Sequence, residues 1–298
     1  MKRNLISIVL TITIIVMVSC QKETTNENIS QNYRMSTDPK TTSLFQHIGA
    51  KHNSILYAVG EYMKDTLDYY AVQGNFSEEE KDRLASRILS SFYYVIDSTG
   101  VISYTGDSLQ ILMDMAYDCL DLDNMDLYVY ETDIPEAINE ILHDMPQNLS
   151  INDMTDYLFD EIDIIMNATT RTYEDTCVAV FLSVYANSLL FWDDAYTNIN
   201  NPWHNYILAA STHREEIPSK FMSGLINFVR GTVARIRSCF TNTEDNPTRD
   251  IIANDAGGAM FGAALALHNP VIALNPWAVV SISVLSGAMQ SAITAICR

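Results

Sequence analysis

Positive charge is scarce in this chain, and toward its C-terminal end charge of either sign disappears. Lysine and arginine total 18 against 37 aspartates and glutamates, and none of the four occurs between Ala256 and Cys297. An acidic surface of this kind disfavours nucleic acid and anionic lipid as partners. Strand signals are also few. The best, Leu127 to Tyr130, is short, which argues against a β architecture. The G-x-S-x-G, H-E-x-x-H and phosphate-loop patterns are missing. No catalytic residue, cofactor or metal ligand is therefore assigned, and the chain reads as non-enzymatic. Cysteine is sparse as well. Apart from Cys20 there are only Cys119, Cys177, Cys239 and Cys297, spaced too widely and irregularly for a zinc site. In an oxidising compartment the four allow three disulfide pairings, while as buried free thiols they would behave as small apolar groups. The spacing leaves both alternatives open.

The N-terminus, MKRNLISIVLTITIIVMVSC, is the most explicit part of the chain. Lys2 and Arg3 precede an uncharged apolar run from Leu5 to Val18, the anatomy of an export signal. The run ends in Met17, Val18, Ser19 and Cys20, which resembles the lipobox of bacterial lipoproteins, with Met17 at a position where leucine is usual. The resemblance implies cleavage before Cys20 and acylation of that cysteine; the alternatives are an ordinary cleaved signal or an uncleaved anchor helix. Each buried methylene contributes ~0.8 kcal/mol, so two or more acyl chains suffice to hold a protein on a membrane. Gln21, Lys22 and Glu23 resemble the Lys/acidic tag that sends Bacteroidetes lipoproteins to the outer face of the outer membrane. Loss of residues 1–19 leaves 279 residues with 16 basic against 37 acidic side chains, a formal charge of −21. Residues 20–41 are polar and read as a lipidated tether. Residues 42–298 read as a single helical domain.

Within that domain nearly every apolar pattern has helical period. Leu44, Ile48, Ile55, Leu56, Val59 and Met63 form one stripe of a long helix ending near Gly74. Ser77 and Glu80 are spaced as a capping box for a helix through Leu84, Ile88, Leu89 and Phe92. Asp107 or Ser108 can cap a third helix, Pro135 opens a fourth and Asn152 or Asp153 a fifth. Asp175 to Tyr196 is apolar nearly all round, as a central helix would be. Pro218 opens a helix bearing Arg230, Arg235 and Arg237. The expected fold is an all-α bundle of about eight to ten helices.

The Gly/Ala-rich region, 248–298, uncharged from Ala256 to Cys297, divides at Pro270 and Pro276 into two helical segments. The first is shorter than the ~20 apolar residues a bilayer requires, and the second is long enough but rich in serine. Gly258, Gly262 and Ala266 fall four apart, as do Ser283, Gly287, Ser291 and Ala295. Each row lines one helix face and permits close backbone approach. A hairpin packed small face to small face follows, with Leu265, Leu267, Val280, Val284 and Leu285 left for other helices to cover. The expectation is a buried core. The same segment resembles the glycine-zipper hairpins of bacteriocins, a resemblance that implies membrane insertion.

Two polar residues lie on apolar faces. His52 sits on the stripe of the first helix, and Asp255 precedes Gly258 and Ala259 on the small-residue face. Either the two form a buried polar pair that ties the first helix to the hairpin, or each is satisfied separately, the commoner arrangement. His52-Asn53 together with Asp255 to Ala259 (DAGGA) also resembles a family of Bacteroidetes lipoproteins that implies no activity. The acidic run Asp114, Asp118, Asp121, Asp123 and Asp126 lacks the glycine and terminal glutamate of an EF-hand. Glu140 and His143 form one Glu-x-x-His pair where a di-iron bundle needs two. Trp192, Asp193, Asp194, Trp203 and His204 could line a ligand cleft, or could form a helix end resting on the core. The functional expectation is a non-enzymatic binding or structural module held at the outer membrane by its lipid. The alternative is an antagonistic factor whose hairpin enters a neighbour's membrane.

Overall fold

In the computed structural model the described residues are 44–73, 77–120, 133–146, 149–168, 172–212 and 248–297. Among them are nine helices and no strand: α1 (Leu44–Gln73), α2 (Glu78–Thr99), α3 (Gly106–Asp118), α4 (Ile134–Asp144), α5 (Ile151–Met166), α6 (Tyr173–Thr197), α7 (His204–Thr212), α8 (Arg249–His268) and α9 (Pro276–Cys297). The all-α expectation holds. The Leu127–Tyr130 segment, the helix expected from Pro218 with its three arginines, and Cys239 lie outside the described residues.

Local chemistry sets most of the boundaries. Ser77 accepts a hydrogen bond from the Glu80 amide and the Glu80 carboxylate accepts one from the Ser77 amide, a complete capping box; Gly100 ends α2 at φ 64°. Left-handed φ carries little penalty for glycine. Thr172 and Asp175 close a second capping box at α6. Two expected starts are corrected. At α3 the capping position is Thr105, which makes no side-chain cap bond, and Asp107 lies inside the first turn. At α5 the cap is Ser150, whose hydroxyl accepts from the Asp153 amide. The nine-residue α7 was not anticipated. It is too short to be stable alone and is held by Trp203 just before it and Tyr206 within it, both buried against other helices.

The core is organised around α8 and α9, which pack on each other more extensively than any other pair. Helices α1, α2, α3 and α6 surround them, α5 and α4 lie behind α6, and α7 bridges α1 and α6. Every α9 side chain from Ala278 to Ile296 is buried. Two helical stretches, Tyr173–Thr197 and Pro276–Ile296, are long and apolar enough to cross a membrane by length and composition; their most apolar windows are 78% and 100% buried within the fold.

The small residues face inward between the two helices of the hairpin. A methyl group on Gly262 would lie 2.9 Å from Ser286 Cβ and 3.0 Å from the Ile282 carbonyl, and one on Gly287 would lie 2.9 Å from the Asp255 carbonyl. The Ser286 hydroxyl donates to the Gly258 carbonyl at 2.8 Å. The α9 side of the seam therefore includes Ser286 and Gln290 as well as the expected Ser283 and Gly287, a broader face than a single spacing-of-four row. Val280, Val284 and Leu285 are covered by other helices, while Leu265 and Leu267 are only partly buried. A close approach the periodicity did not reveal joins α1 to α6. The Gly49 amide donates to Ser183 Oγ at 3.2 Å, with no space for a side chain on Gly49 against Asn187 and the Ser183 carbonyl.

Candidate functional site

Four helices bring polar groups to one point in this apolar interior. Asp255, in the second turn of α8, has no solvent exposure. Its Oδ2 accepts from the Ser188 hydroxyl at 2.7 Å and from the Trp192 indole N–H at 2.8 Å, both on α6. From α1, His52, also fully buried, places Nε2 3.8 Å from the same oxygen. That distance lies within ion-pair range and beyond a hydrogen bond. From α9, Ser291 faces the carboxyl and the Gly287 carbonyl faces the imidazole.

His52 and Asp255 are thus brought together, and the contact is one strand of a larger tie. His52 Nδ1 lies 3.1 Å from Asn53 Oδ1, and Asn53 Nδ2 donates to the Asn187 carbonyl on α6 at 2.9 Å. With its amide nitrogen committed to that carbonyl, Asn53 presents its oxygen to the imidazole, so Nδ1 carries a hydrogen. Beside Asp255, both side-chain polar atoms of Asn254 are buried without a hydrogen-bond partner. Such groups cost free energy in an apolar interior.

Burial dominates the proton affinities here. It pushes the Asp255 carboxyl up to about 8, against the opposing pull of Ser291, Ser188 and Trp192. It lowers His52 to about 4, with Asn53 and the Gly287 carbonyl acting in the other direction. Between those two values the folded pair holds one proton, on whichever partner it resides, and titrates as a unit.

The other candidates are placed differently. Trp192 and Trp203 are fully buried, with ring centroids 5.6 Å apart. The Trp203 indole donates to the Leu56 carbonyl at 2.8 Å, and His204 Nδ1 meets the Ala195 carbonyl at 3.1 Å. Both indoles are thus packed into the core at the end of α6. Cys119 and Cys177 are buried free thiols, and burial raises each to about 12. Of the two alternatives for cysteine, these two residues have the unbridged one; the side chain of Cys297 lies outside the description. Glu140 and His143 line a shallow surface depression along α4 with Pro135, Glu136, Asn139 and Asp144. No group of three or more His, Cys, Asp or Glu side chains gathers at metal-binding range among the described residues. Cys20, the expected lipidation site, also lies outside them.

Ser188, the Asn53–Asn187 tie and Gly49 had no signal of their own in the sequence. Trp192 stood out, but for a cleft and not as a donor to Asp255. No family model matches the chain, and no curated protein or solved structure does either.

Proposed function

We propose that this chain is a non-enzymatic helical module, anchored at the outer membrane through acyl chains on Cys20 and serving there in binding or structural support. The observation that carries the reading is the burial of α9 and of the adjoining uncharged part of α8 inside the bundle. With its most apolar segment sheltered in this way, the body contributes little to membrane attachment, and the task falls to the modified terminus. The buried cluster supports the non-catalytic half of the reading. His52 and Asp255 have no exposed surface, and a side chain sealed from solvent does not meet a substrate in this state. Its physical role is to fix the hairpin against α1 and α6.

The test is cell fractionation of the wild type beside Cys20→Ala, with mass spectrometry of the N-terminal peptide. The expected results are acyl chains on Cys20 at the N-terminus of the wild type, and in Cys20→Ala an unacylated chain that keeps residues 1–19. A membrane-bound wild type whose N-terminal peptide carries no acyl chain would overturn the tethered reading.

The alternative, a membrane-active hairpin, has one specific observation in its favour. Ser281, Ser283 and Thr294 donate to the carbonyls of Trp277, Val279 and Gln290 four residues earlier, at 2.8, 2.7 and 2.8 Å. Together with the Ser286–Gly258 bond, these satisfy four of the five hydroxyls of α9, Ser291 being the exception, which lowers the cost of placing those four in lipid. Release of vesicle contents by the full chain would support this reading, and intact vesicles would count against it.

A further inference from the structure

The turn between α8 and α9 reaches the surface at the end of the bundle where α1 begins. Lys51, two turns into α1, holds its ammonium 5.3 Å from the centre of the Trp277 ring. The Asn275 amide donates to the Tyr104 hydroxyl, between α2 and α3, at 3.1 Å. His268, at the end of α8, meets the Tyr173 ring at the start of α6 edge-on, with centroids 5.1 Å apart. Leu44, the first residue of α1, is therefore at the same end as the turn, and the chain runs from there back toward Cys20.

That end carries an apolar tip. Leu274 is 85% exposed and Trp277 43% exposed, whereas α9 from Ala278 to Ile296 is covered. Pro270 and Pro276 are exposed beside them, and no carboxylate or guanidinium lies within residues 269–277. A half-exposed tryptophan, an outward leucine and a nearby ammonium on an aliphatic stem suit the boundary between headgroups and acyl chains. The surrounding charge narrows the choice of surface. Asp107, in the first turn of α3, follows Tyr104 by three residues, and Glu174 and Asp175, in the first turn of α6, directly follow Tyr173; acidic charge on the elements that hold the turn opposes an anionic bilayer.

We infer that the α8–α9 turn is a membrane-contact tip. In the tethered protein Leu274 and Trp277 rest in the interfacial layer of a zwitterionic bilayer, fixing the orientation of the bundle on the membrane. The inference rests on the tethered reading above, but its test supplies the tether independently of acylation.

Trp277 provides the probe, because the other two tryptophans, Trp192 and Trp203, are fully buried. The chain from Gln21 onward, with an N-terminal hexahistidine tag replacing Cys20, is bound to phosphatidylcholine vesicles containing a nickel-chelating lipid. Phosphatidylcholines brominated either near the glycerol or near the chain ends serve as quenchers. The expected result is loss of the Trp277 share of the emission with the shallow bromines, weaker loss with the deep ones and neither in Trp277→Phe. Leu274→Ser should weaken the quenching without altering the circular dichroism. Trp277 emission that is untouched by both lipids and remains open to aqueous acrylamide would overturn the inference. Quenching strongest with the deep bromines would overturn it too, in favour of hairpin insertion. A failure of acylation at Cys20 would leave this measurement intact.

Discussion

Replacing Asp255 by asparagine should reverse the pH range in which the protein is vulnerable. Asp255 is raised from 3.8 to about 8 and His52 lowered from 6.5 to about 4. Taken alone, the raised carboxyl contributes stability that is complete below 3.8 and lost as pH climbs toward 8. The lowered imidazole contributes stability that is complete above 6.5 and lost as pH falls toward 4. Between about 4 and 6.5 the folded pair and the unfolded pair each hold one proton, so the two dependences cancel. Above 6.5 the unfolded pair has released its proton while the folded pair keeps one to about 8. At ~1.4 kcal/mol per pH unit, this costs the folded state about 2 kcal/mol from pH 6.5 to 8. Asparagine keeps an oxygen for Ser188 and Trp192 and removes that proton. Asp255→Asn should therefore be flat on the alkaline side and lose about 3 kcal/mol between pH 6.5 and 4 through His52 alone. Urea unfolding followed by far-ultraviolet circular dichroism at pH 4.5, 6.5 and 8, analysed as the difference between the two proteins, cancels contributions from other groups. Parallel stability profiles across that range would refute the one-proton pair.

Adjacent glycines in α8 should respond with opposite sign. A methyl group on Gly257 meets nothing within 4 Å, whereas one on Gly258 would lie 2.6 Å from Gln290 Cγ and 3.1 Å from the Ser286 carbonyl. Calorimetry should show Gly257→Ala gaining up to ~1 kcal/mol from helix propensity and Gly258→Ala losing about 1–3 kcal/mol from overpacking; equal effects would argue against the seam. Trp192→Phe removes one donor from a buried carboxyl while keeping an aromatic ring, so a loss of about 1–3 kcal/mol is expected in urea unfolding, and an unchanged midpoint would show that the bond is dispensable. With their thiols raised to about 12, Cys119 and Cys177 should resist iodoacetamide at pH 8 until the protein unfolds, which peptide mass spectrometry can follow at each site. Rapid labelling of either in the native protein would contradict its burial. Ser77→Ala should cost ~1 kcal/mol through loss of the α2 capping box, a small drop in melting temperature that a value equal to wild type would disprove.

The readability of this fold from its sequence followed how locally each feature is determined. The stripe through Ile48, Ile55 and Val59, the capping box at Ser77 and the small rows of the hairpin are all spacing effects within one helix, and each appears at its expected place. His52 and Asp255 were conspicuous because a polar side chain on an apolar face demands a partner. Ser188 and Asn187 were not, because α6 is apolar nearly all round, and a serine or an amide in such a helix gives no hint of direction. Gly49 has the sequence setting of any mid-helix glycine; its constraint comes from Ser183 and Asn187 on a different helix. The cap of α3 was misplaced because Gly106 adopts φ 56°, ahead of the acidic residue that resembled a cap. For α7, nine residues are too few for periodicity, and its anchors Trp203 and Tyr206 act through distant carbonyls, those of Leu56 and Ile296.

The order of synthesis gives the hairpin's central position a further meaning. Seven of the described helices precede Arg249 in the order of synthesis, yet α1, α2, α3 and α6 all rest on segments that follow it. Until those arrive, the earlier helices expose greasy faces with nothing to close upon, so the nascent polypeptide stays loose. The segment from Arg249 to Cys297 is thereby a single point of failure, because a chain lacking it leaves α1, α2, α3 and α6 without the two helices they pack upon.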